Sequence, residues 1–347
     1  MTRVAGLDCG TNSLRLLVAD VNPERGELAD VVRQMEIVRL GQGVDRTGRL
    51  APEALGRTFD ALRRYAGIIA ATGAASVRMV ATSATRDAAN AAEFTTGVQT
   101  LLGTRPEVVT GEEEAALSFC GATAELAATG PPGPYLVVDI GGGSTEFVLG
   151  GTGGEDRARA WPPELSVPRS ISAGRISAGR ISAGRICASV SVDIGCVRMT
   201  ERHLHSDPPS PAEVAAATSD IDAALEVVAR KVPHAAKATL VGLAGSVTTV
   251  AGIALGLPAY DASVTHHARI TAGQVHRSAG QLLAQTHAQR ASIAVMHPGR
   301  VDVIGAGALI LDRLMARFGF GGVLVSEHDI LDGIAWSLAM RDAAADG

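Results

Sequence analysis

Short apolar runs alternate along the chain with longer segments that are apolar at helical spacing. Runs of this length predict strands, and the longer segments predict helices. Besides two strand pairs described below, the predicted strands are 31–38, 77–81, 107–109, 239–243 and 322–325. The predicted helices are 52–71, 86–102, 112–127, 211–230, 246–255, 271–286, 301–318 and 330–340. This alternation predicts an α/β fold in which mixed sheets are flanked by helices.

The most informative feature of the sequence is an internal repeat. Residues 4–20 and 136–150 each contain an apolar run, the motif Asp-x-Gly-x-x-Ser and a second apolar run. The motif begins at Asp8 in the first copy and at Asp139, 131 residues later, in the second. Because a small-residue motif between two strands is typical of a hairpin turn, the repeat predicts duplicated domains whose two glycine loops face each other.

The domain boundary is expected at the Gly-Pro-Pro-Gly-Pro segment 130–134, because such a segment forms a rigid linker. We therefore predict one domain over 1–129 and a second over 130–347, with the final helix packing back on the first domain. Ser-Ala-Gly-Arg-Ile occurs three times in tandem within 172–186. The segment 151–189 is accordingly predicted to be a disordered insertion at a hairpin tip, either a tandem expansion without function or an arginine tether for a polyanion.

Composition excludes several classes of protein. The chain is 46% hydrophobic, which is too apolar for a disordered protein, and its net charge of −5 gives no basic field for nucleic acid. The uncharged segment 238–260 is long enough to cross a bilayer, but its glycine and hydroxyl residues favour a strand, a turn and a helix in a soluble core. No signal peptide is evident, so we expect no membrane association and a cytoplasmic location. The four cysteines lack paired spacing and are predicted to be free thiols.

The glycine loops 10–13 and 141–145 are candidate anion sites. Glycine permits turns whose N–H groups converge on an anion, and the Asp that precedes each loop suits a divalent cation that bridges to phosphate. Two hairpins without a ligand are the alternative interpretation. A third loop, which contains Gly245 and Ser246, follows a strand and opens a helix, so its N–H groups either bind an anion or only cap that helix.

Two further groups carry candidate chemistry. Residues 112–114 are three consecutive glutamates at a predicted helix start, where a negative charge interacts favourably with the helix dipole. Three glutamates are more than this interaction requires, so one of them is a candidate base. Arg86 and Asn90 are predicted to share one helix face at i, i+4 spacing. Arg86 there either covers a phosphate bidentately or is an ordinary surface arginine.

Taken together, these motifs resemble one family. The segments 8–15, 81–86, 111–115 and 138–146 occur in the order found in the exopolyphosphatase/guanosine pentaphosphate phosphohydrolase (Ppx/GppA) family, and the likeness continues through 193–198, 242–249, 297–303 and 326–327. The resemblance implies a duplicated actin-like (ribonuclease H-like) fold with an interdomain cleft. It is to the short, two-domain members of the family, and the arginine repeat is not part of the family pattern.

The resemblance also implies roles for individual residues. Glu114 corresponds to the catalytic base, and Asp139 and Glu146 to the residues that order magnesium and the attacking water. Asp8 joins these two as an expected metal ligand. The expected substrate contacts are Asn12, Ser13, Arg15, Arg86, Gly142, Gly143 and Ser144, to which the third loop adds Gly245 and Ser246.

The expected activity is Mg²⁺-dependent release of terminal orthophosphate from inorganic polyphosphate, since phosphoryl transfer needs charge neutralisation and a positioned nucleophile. Hydrolysis of the 5′ phosphate of guanosine pentaphosphate is the alternative within the family. A slow-turnover regulator that binds polyphosphate or an alarmone, and a sugar-kinase-like activity, are alternatives from other classes. A homodimer is the default expectation for such an enzyme.

Overall fold

The structure, a computed structural model, describes residues 1–126, 130–131, 133–151 and 185–345. Backbone contacts divide the chain into two compact units. Unit 1 comprises Met1–Pro134, Gly150–Cys187 and Asp329–Gly347, and unit 2 comprises Tyr135–Leu149 and Ala188–His328, in each case as far as these residues are described. The chain therefore returns to unit 1 for its final helix.

Unit 1 is built on a five-stranded mixed sheet. Its strands are β1 (Thr2–Cys9), β2 (Ser13–Asn22), β3 (Glu27–Ile37), β4 (Ser76–Ala81) and β5 (Glu107–Val108). They pair in the order β3-β2-β1-β4-β5. Strands β1 to β3 form an antiparallel meander, whereas β4 and β5 add in parallel on the other side of β1. The carboxyl end of β1, where Asp8 lies, is thus at the centre of the sheet.

Helices cover both faces of this sheet. They are α1 (Val44–Thr47), α2 (Pro52–Thr72), α3 (Ser83–Arg86), α4 (Ala91–Leu102), α5 (Gly111–Thr123) and the final helix, α13 (Ile330–Ala345). On one face, Leu62 and Tyr65 of α2 and Phe94 of α4 are fully buried in the larger core. On the other face, Leu331 and Trp336 of α13 pack with apolar residues of β1 and β2. The final helix is an integral layer of unit 1.

Unit 2 repeats this plan with one additional edge strand. Its sheet consists of β6 (Tyr135–Ile140), β7 (Thr145–Gly151), β8 (Arg185–Val192), β9 (Thr239–Leu243), β10 (Arg269–Thr271) and β11 (Gly322–Val325), in the order β10-β11-β9-β6-β7-β8. Its helices are α6 (Cys196–His203), α7 (Pro211–Lys231), α8 (Ala244–Ala254), α9 (Ala262–Thr265), α10 (Ala272–Ala284), α11 (His287–Ala291) and α12 (Ile304–Phe318). Short 3₁₀ turns lie at Ala235–Lys237 and Pro298–Arg300.

The predicted duplicated α/β fold with mixed sheets flanked by helices is confirmed. The first sheet has the strand order β3-β2-β1-β4-β5. When the edge strand β10 is left out, the second sheet has the equivalent order β8-β7-β6-β9-β11, so corresponding strands occupy corresponding positions. The two repeat motifs also form equivalent turns. Gly10 N donates to Ser13 O at 3.0 Å, and Gly141 N donates to Ser144 O at 3.1 Å. The sequence repeat therefore corresponds to a structural repeat, in which the two turns share an equivalent backbone hydrogen bond.

Three element predictions need correction. The helix predicted over 86–102 begins only at Ala91, as α4, and Arg86 is instead the last residue of the separate short helix α3. The Asn90 amide bonds both backbone groups of Leu50, at 2.8 and 3.1 Å, so Asn90 anchors a loop and does not share a helix face with Arg86. Gly151 ends β7, and 185–189 belong to β8, so these residues lie outside any insertion; the arginine repeat up to residue 184 lies outside the described residues. Helix α6 was not predicted at all.

The uncharged segment 238–260 forms a strand and a helix, β9 and α8, as predicted. Strand β9 pairs with β6 and β11 in the interior of its sheet. Among the described helices, none combines the length and the apolar character that crossing a membrane requires.

Candidate active site

The first glycine loop joins β1 to β2, and its carbonyl groups are fixed by the segment that follows β3. Gly41 N donates to Thr11 O at 2.8 Å, while Val38 N and Arg39 N both donate to Asn12 O, at 3.0 and 2.9 Å. The Thr11 hydroxyl lies 2.9 Å from that of Ser83, at the start of α3. Two separate segments therefore hold the turn that carries the predicted substrate contacts Asn12 and Ser13.

Asp8 and Arg15 lie directly opposite each other on β1 and β2. Arg15 Nε and Nη2 both donate to Asp8 Oδ2, at 2.9 and 2.6 Å, and Arg15 Nη1 bonds Asp329. Burial raises the pKa of Asp8, which the adjacent Arg15 opposes. In the described part of the chain, the buried Oδ1 of Asp8 has no hydrogen-bond partner. The predicted metal ligand thus has one oxygen held by Arg15 and one available.

This geometry bears on the role predicted for Arg15. All three of its guanidinium nitrogens are engaged by buried carboxylates, because Asp8 and Asp329 are both less than a tenth exposed. A direct contact between Arg15 and phosphate stays a prediction; the observed contacts are those of a residue that fixes Asp8. Asp329 was missed in the sequence, although an Asp just before a predicted helix is a known helix-start signal.

The three glutamates at the start of α5 have different environments. Glu112 is exposed. Glu113 forms a capping box with Thr110, whose N–H donates to Glu113 Oε2 at 2.9 Å, so its role is local. Glu114 is buried, and its Oε2 lies 3.3 Å from Arg86 Nη1. Of the three carboxylates, only Glu114 therefore combines burial with a neighbouring cation, as a candidate base requires.

Arg86, at the end of α3, is positioned by two contacts that both use Nη1. This atom donates to Val109 O at 2.8 Å as well as to Glu114. The Arg86 side chain is 27% exposed, so part of its surface is accessible to a ligand. The structure therefore brings together two of the predicted site residues, Glu114 and Arg86, within unit 1.

The second glycine loop, residues 141–144, joins β6 to β7 in unit 2. Its carbonyl groups are held by the start of α6: Cys196 N donates to Gly141 O at 2.9 Å, and Arg198 Nε donates to Gly143 O at 2.7 Å. The loop is therefore fixed on one side by a helix that sequence analysis did not predict.

Asp139 and Glu146 form the unit 2 counterpart of the Asp8–Arg15 pair. The bond from Gly141 N to Ser144 O sets the register of this hairpin, and continuing the register places Asp139 opposite Glu146. Both residues are buried, Glu146 almost completely, and Ser191 Oγ donates to Glu146 Oε1 at 2.7 Å. Where unit 1 has an ion pair, unit 2 thus has two carboxylates.

This donor set fits a magnesium ion. Two buried carboxylates side by side repel each other, and a divalent cation offsets that repulsion. Mg²⁺ prefers carboxylate oxygens and commonly binds through one or two of them together with phosphate. Asp139 and Glu146 match that preference in unit 2, and Asp8 offers a single buried oxygen in unit 1.

The third loop has a tighter structure than predicted. Strand β9 leads directly into α8 at Ala244, which has a φ of 65°. Arg300 Nη1 donates to Gly245 O at 3.3 Å and to Thr249 Oγ1 at 3.1 Å. A Cβ atom on Gly245 would lie 2.3 Å from Arg300 Cζ, so a larger residue at 245 would require the Arg300 side chain to move.

Ser246 lies in the interior of unit 2. A Cβ atom on Gly307 of α12 would lie 2.3 Å from Ser246 Oγ, which shows that the hydroxyl is directed toward α12. Any substrate contact by Gly245 and Ser246 would therefore involve their backbone. That role stays a prediction.

The chain is similar over almost its whole length to proteins of one family. Residues 17–341 match the model of the Ppx/GppA phosphatase family. The chain belongs to the Ppx/GppA phosphatase family. It is 47% identical to exopolyphosphatase 2 of Mycobacterium tuberculosis, over 98% of this chain and 99% of that protein. The match extends well beyond the glycine loops, which alone would be weak evidence.

Two further Ppx/GppA relatives are informative. The solved structure of an exopolyphosphatase-like protein superposes with a TM-score of 0.86 at 39% identity, covering 98% of this chain and 99% of the other. The guanosine-5′-triphosphate,3′-diphosphate pyrophosphatase of Aeromonas salmonicida is 27% identical over 96% of this chain, which spans only 59% of that longer relative. Relatives named for each of the two predicted substrates are therefore similar to this chain.

Proposed function

We propose that the protein is an exopolyphosphatase that releases terminal orthophosphate from inorganic polyphosphate. The observation that carries this proposal is the 47% identity, over nearly the whole of both chains, to a protein named exopolyphosphatase. The buried Glu114 beside Arg86, and the two glycine loops with their preceding aspartates, supply residue types suited to that chemistry.

In the proposed reaction, water attacks the terminal phosphorus, and the bond from that phosphorus to the bridging oxygen breaks. The bridging oxygen leaves with the bond's electron pair on the shortened polyphosphate, and Glu114 accepts a proton from the water. Arg86 and the loop N–H groups of Asn12, Ser13 and residues 142–144 orient the phosphate oxygens. Glu114 acts as the base because it is the buried member of its glutamate run.

Asp8, Asp139 and Glu146 are the residues that would hold Mg²⁺. A bound Mg²⁺ neutralises charge on phosphate oxygens during phosphoryl transfer. In this proposal, Arg15 fixes the Asp8 carboxylate through Oδ2, and Ser191 fixes that of Glu146 through Oε1. Each carboxylate is thereby oriented by a residue of its own unit.

Guanosine pentaphosphate is the second candidate substrate, supported by the likeness to the Aeromonas protein. Its 5′ phosphate would require the same terminal phosphoryl chemistry. A regulator that binds polyphosphate or an alarmone and turns over slowly would retain the loops without needing Glu114. A cytoplasmic homodimer without nucleic-acid or membrane partners stays our expectation.

The test measures orthophosphate release from tripolyphosphate, long-chain polyphosphate and guanosine pentaphosphate, each with Mg²⁺ and with excess chelator. We expect the highest kcat/KM for a polyphosphate, loss of turnover in chelator and recovery on adding Mg²⁺. Preference for guanosine pentaphosphate would favour the second candidate. If the wild type releases orthophosphate no faster than the Glu114→Gln variant does, the regulator is favoured. Full activity in excess chelator would contradict the metal assignment.

A further inference from the structure

The second glycine loop is held by four hydrogen bonds from the start of α6. Cys196 N donates to Gly141 O, and Val197 N and Arg198 N donate to Gly142 O at 2.9 and 3.1 Å. The fourth bond runs from Arg198 Nε to the next carbonyl, that of Gly143. N–H groups at a helix start commonly bind anions or a capping side chain; here they bind consecutive carbonyls of a neighbouring loop.

These bonds fix the direction of the loop N–H groups. A trans peptide is planar, so its N–H points away from the C=O of the preceding residue. The carbonyls of residues 141–143 face α6, and the N–H groups of Gly142, Gly143 and Ser144 therefore face the opposite side. In the described part of the chain, none of these three N–H groups has a hydrogen-bond partner. Three aligned, unpaired N–H groups are the arrangement that binds a phosphate.

From this geometry we infer that Gly195–Arg198 is a positioning element for the phosphate-binding loop, with Arg198 as its essential side chain. The inference rests on the proposed function for the identity of the anion, a terminal phosphate. Arg198 acts through the loop: its Nε donates to the Gly143 carbonyl at 2.7 Å, and its side chain is 13% exposed. A charged donor on a carbonyl makes a stronger hydrogen bond than a neutral donor.

Gly195 is the second part of this element. A Cβ atom there would lie 2.2 Å from Gly142 O and 2.4 Å from Gly143 N, so the helix start can approach the loop only because residue 195 is glycine. The clash would be with backbone, which cannot rotate away. Gly195→Ala must therefore displace either the loop or the start of α6.

Unit 1 contains a comparable backbone arrangement. There the segment after β3, residues 38–41, donates three N–H groups to Thr11 O and Asn12 O. In both units, the segment that follows the third strand thus holds the carbonyl side of the glycine loop. In unit 2 the segment adds a charged side-chain bond, from Arg198 Nε to the Gly143 carbonyl of the loop that follows Asp139.

The test compares Arg198→Met with Arg202→Met. Both variants remove one positive charge from α6, and Arg202 pairs with Asp220 at 2.8 Å. We expect Arg198→Met to raise KM for tripolyphosphate and the inhibition constant of orthophosphate at least tenfold, with a smaller loss in kcat. Arg198→Lys should recover most of this loss, because Nζ keeps a charged donor. Arg202→Met should stay within twofold of wild type.

The positioning role would be overturned if Arg198→Met and Arg202→Met had equal effects. It would also be overturned if Arg198→Met lowered only kcat and Arg198→Lys did not restore it. If Arg198→Met does not fold, hydrogen exchange replaces it: in the wild type, orthophosphate should slow exchange of the amides of residues 142–144, and Gly195→Ala should abolish that protection. Unchanged protection in Gly195→Ala would also overturn the inference. A wild type that binds orthophosphate at this loop but does not cleave polyphosphate would contradict the proposed function alone.

Discussion

Arg15 of β2 and Glu146 of β7 occupy the same position of the internal repeat. Each lies opposite the Asp that precedes its glycine loop: Arg15 opposite Asp8 by direct strand pairing, and Glu146 opposite Asp139 by the register of its turn. The duplicated framework thus carries an ion pair in one unit and two buried carboxylates in the other. If the proposed metal site is correct, we expect the unit 2 carboxylates to contribute more to cation binding than Asp8.

The first prediction concerns cation binding. We expect Asp139→Asn to weaken Mg²⁺ binding, measured by calorimetry, at least tenfold, because it removes one of two opposed carboxylates. Asp8→Asn should weaken it less, since Arg15 already neutralises Asp8. A larger effect for Asp8→Asn would contradict the assignment of the principal metal ligands to unit 2.

The second prediction concerns the base. Glu114→Gln should lower kcat for polyphosphate by about 10²- to 10⁴-fold, the usual contribution of general-base catalysis, while KM changes little. Glu112→Gln is the matched control, because it makes the same change at an exposed position two residues earlier in α5. A kcat for Glu114→Gln within threefold of wild type would remove Glu114 from the role.

The third prediction concerns packing between α5 and α13. A Cβ atom on Gly333 would lie 2.1 Å from Leu117 O, and one on Gly121 would lie 1.9 Å from Asp329 O. Gly333→Ala should therefore lower the free energy of unfolding by roughly 1–3 kcal/mol or more. Gly67→Ala in α2 is the control: nothing lies within 4 Å of its Cβ position, so a gain of about 0.5–1 kcal/mol is expected there. Chemical denaturation measures both, and equal effects would show that the helices can separate.

Some features of this structure could be predicted from the sequence, and others could not. Local signals were sufficient for the repeat hairpins and for the helix predicted from residue 211, whose start is fixed by a capping box of Ser210 and Glu213, because the residues that decide each are within a few positions. The break at Asn90 depends on Leu50, which is 40 residues away in sequence. The contacts of Arg198 with Gly143 and of Arg15 with Asp329 are likewise long-range. Periodicity gives no information on such pairs.

The fourth prediction concerns acid stability. Hydrogen bonds from the Ser210 backbone lower the pKa of Glu213 to about 2, against a burial effect in the opposite direction. Because its folded-state pKa lies below the unfolded value, ionised Glu213 stabilises unit 2 above pH 4.5, and that contribution is lost as the pH falls toward 2. Glu213→Gln should thus lower the melting temperature at pH 7 and converge with wild type near pH 2. A difference independent of pH would contradict the assignment to the charge.

The last prediction concerns residues 152–184, which connect β7 to β8. In unit 1 the equivalent strands β2 and β3 are joined by residues 23–26, and β7 and β8 are likewise neighbours in their sheet. Replacing 152–184 with the sequence Pro-Glu-Arg-Gly of 23–26 should leave the melting temperature unchanged or slightly raised, because loop-closure entropy changes by only about 0.6 kcal/mol for each doubling of loop length.

The same variant separates the two interpretations of the arginine repeat. If the repeat is an expansion without function, as we expect, KM for long polyphosphate will equal that of wild type at every salt concentration. If it is a tether for a polyanion, the deletion will raise KM for long chains but not for tripolyphosphate, and the difference will shrink as salt screens the charges. A large loss of stability, or of kcat on tripolyphosphate, would contradict both interpretations and would mean that the segment contributes to the folded structure.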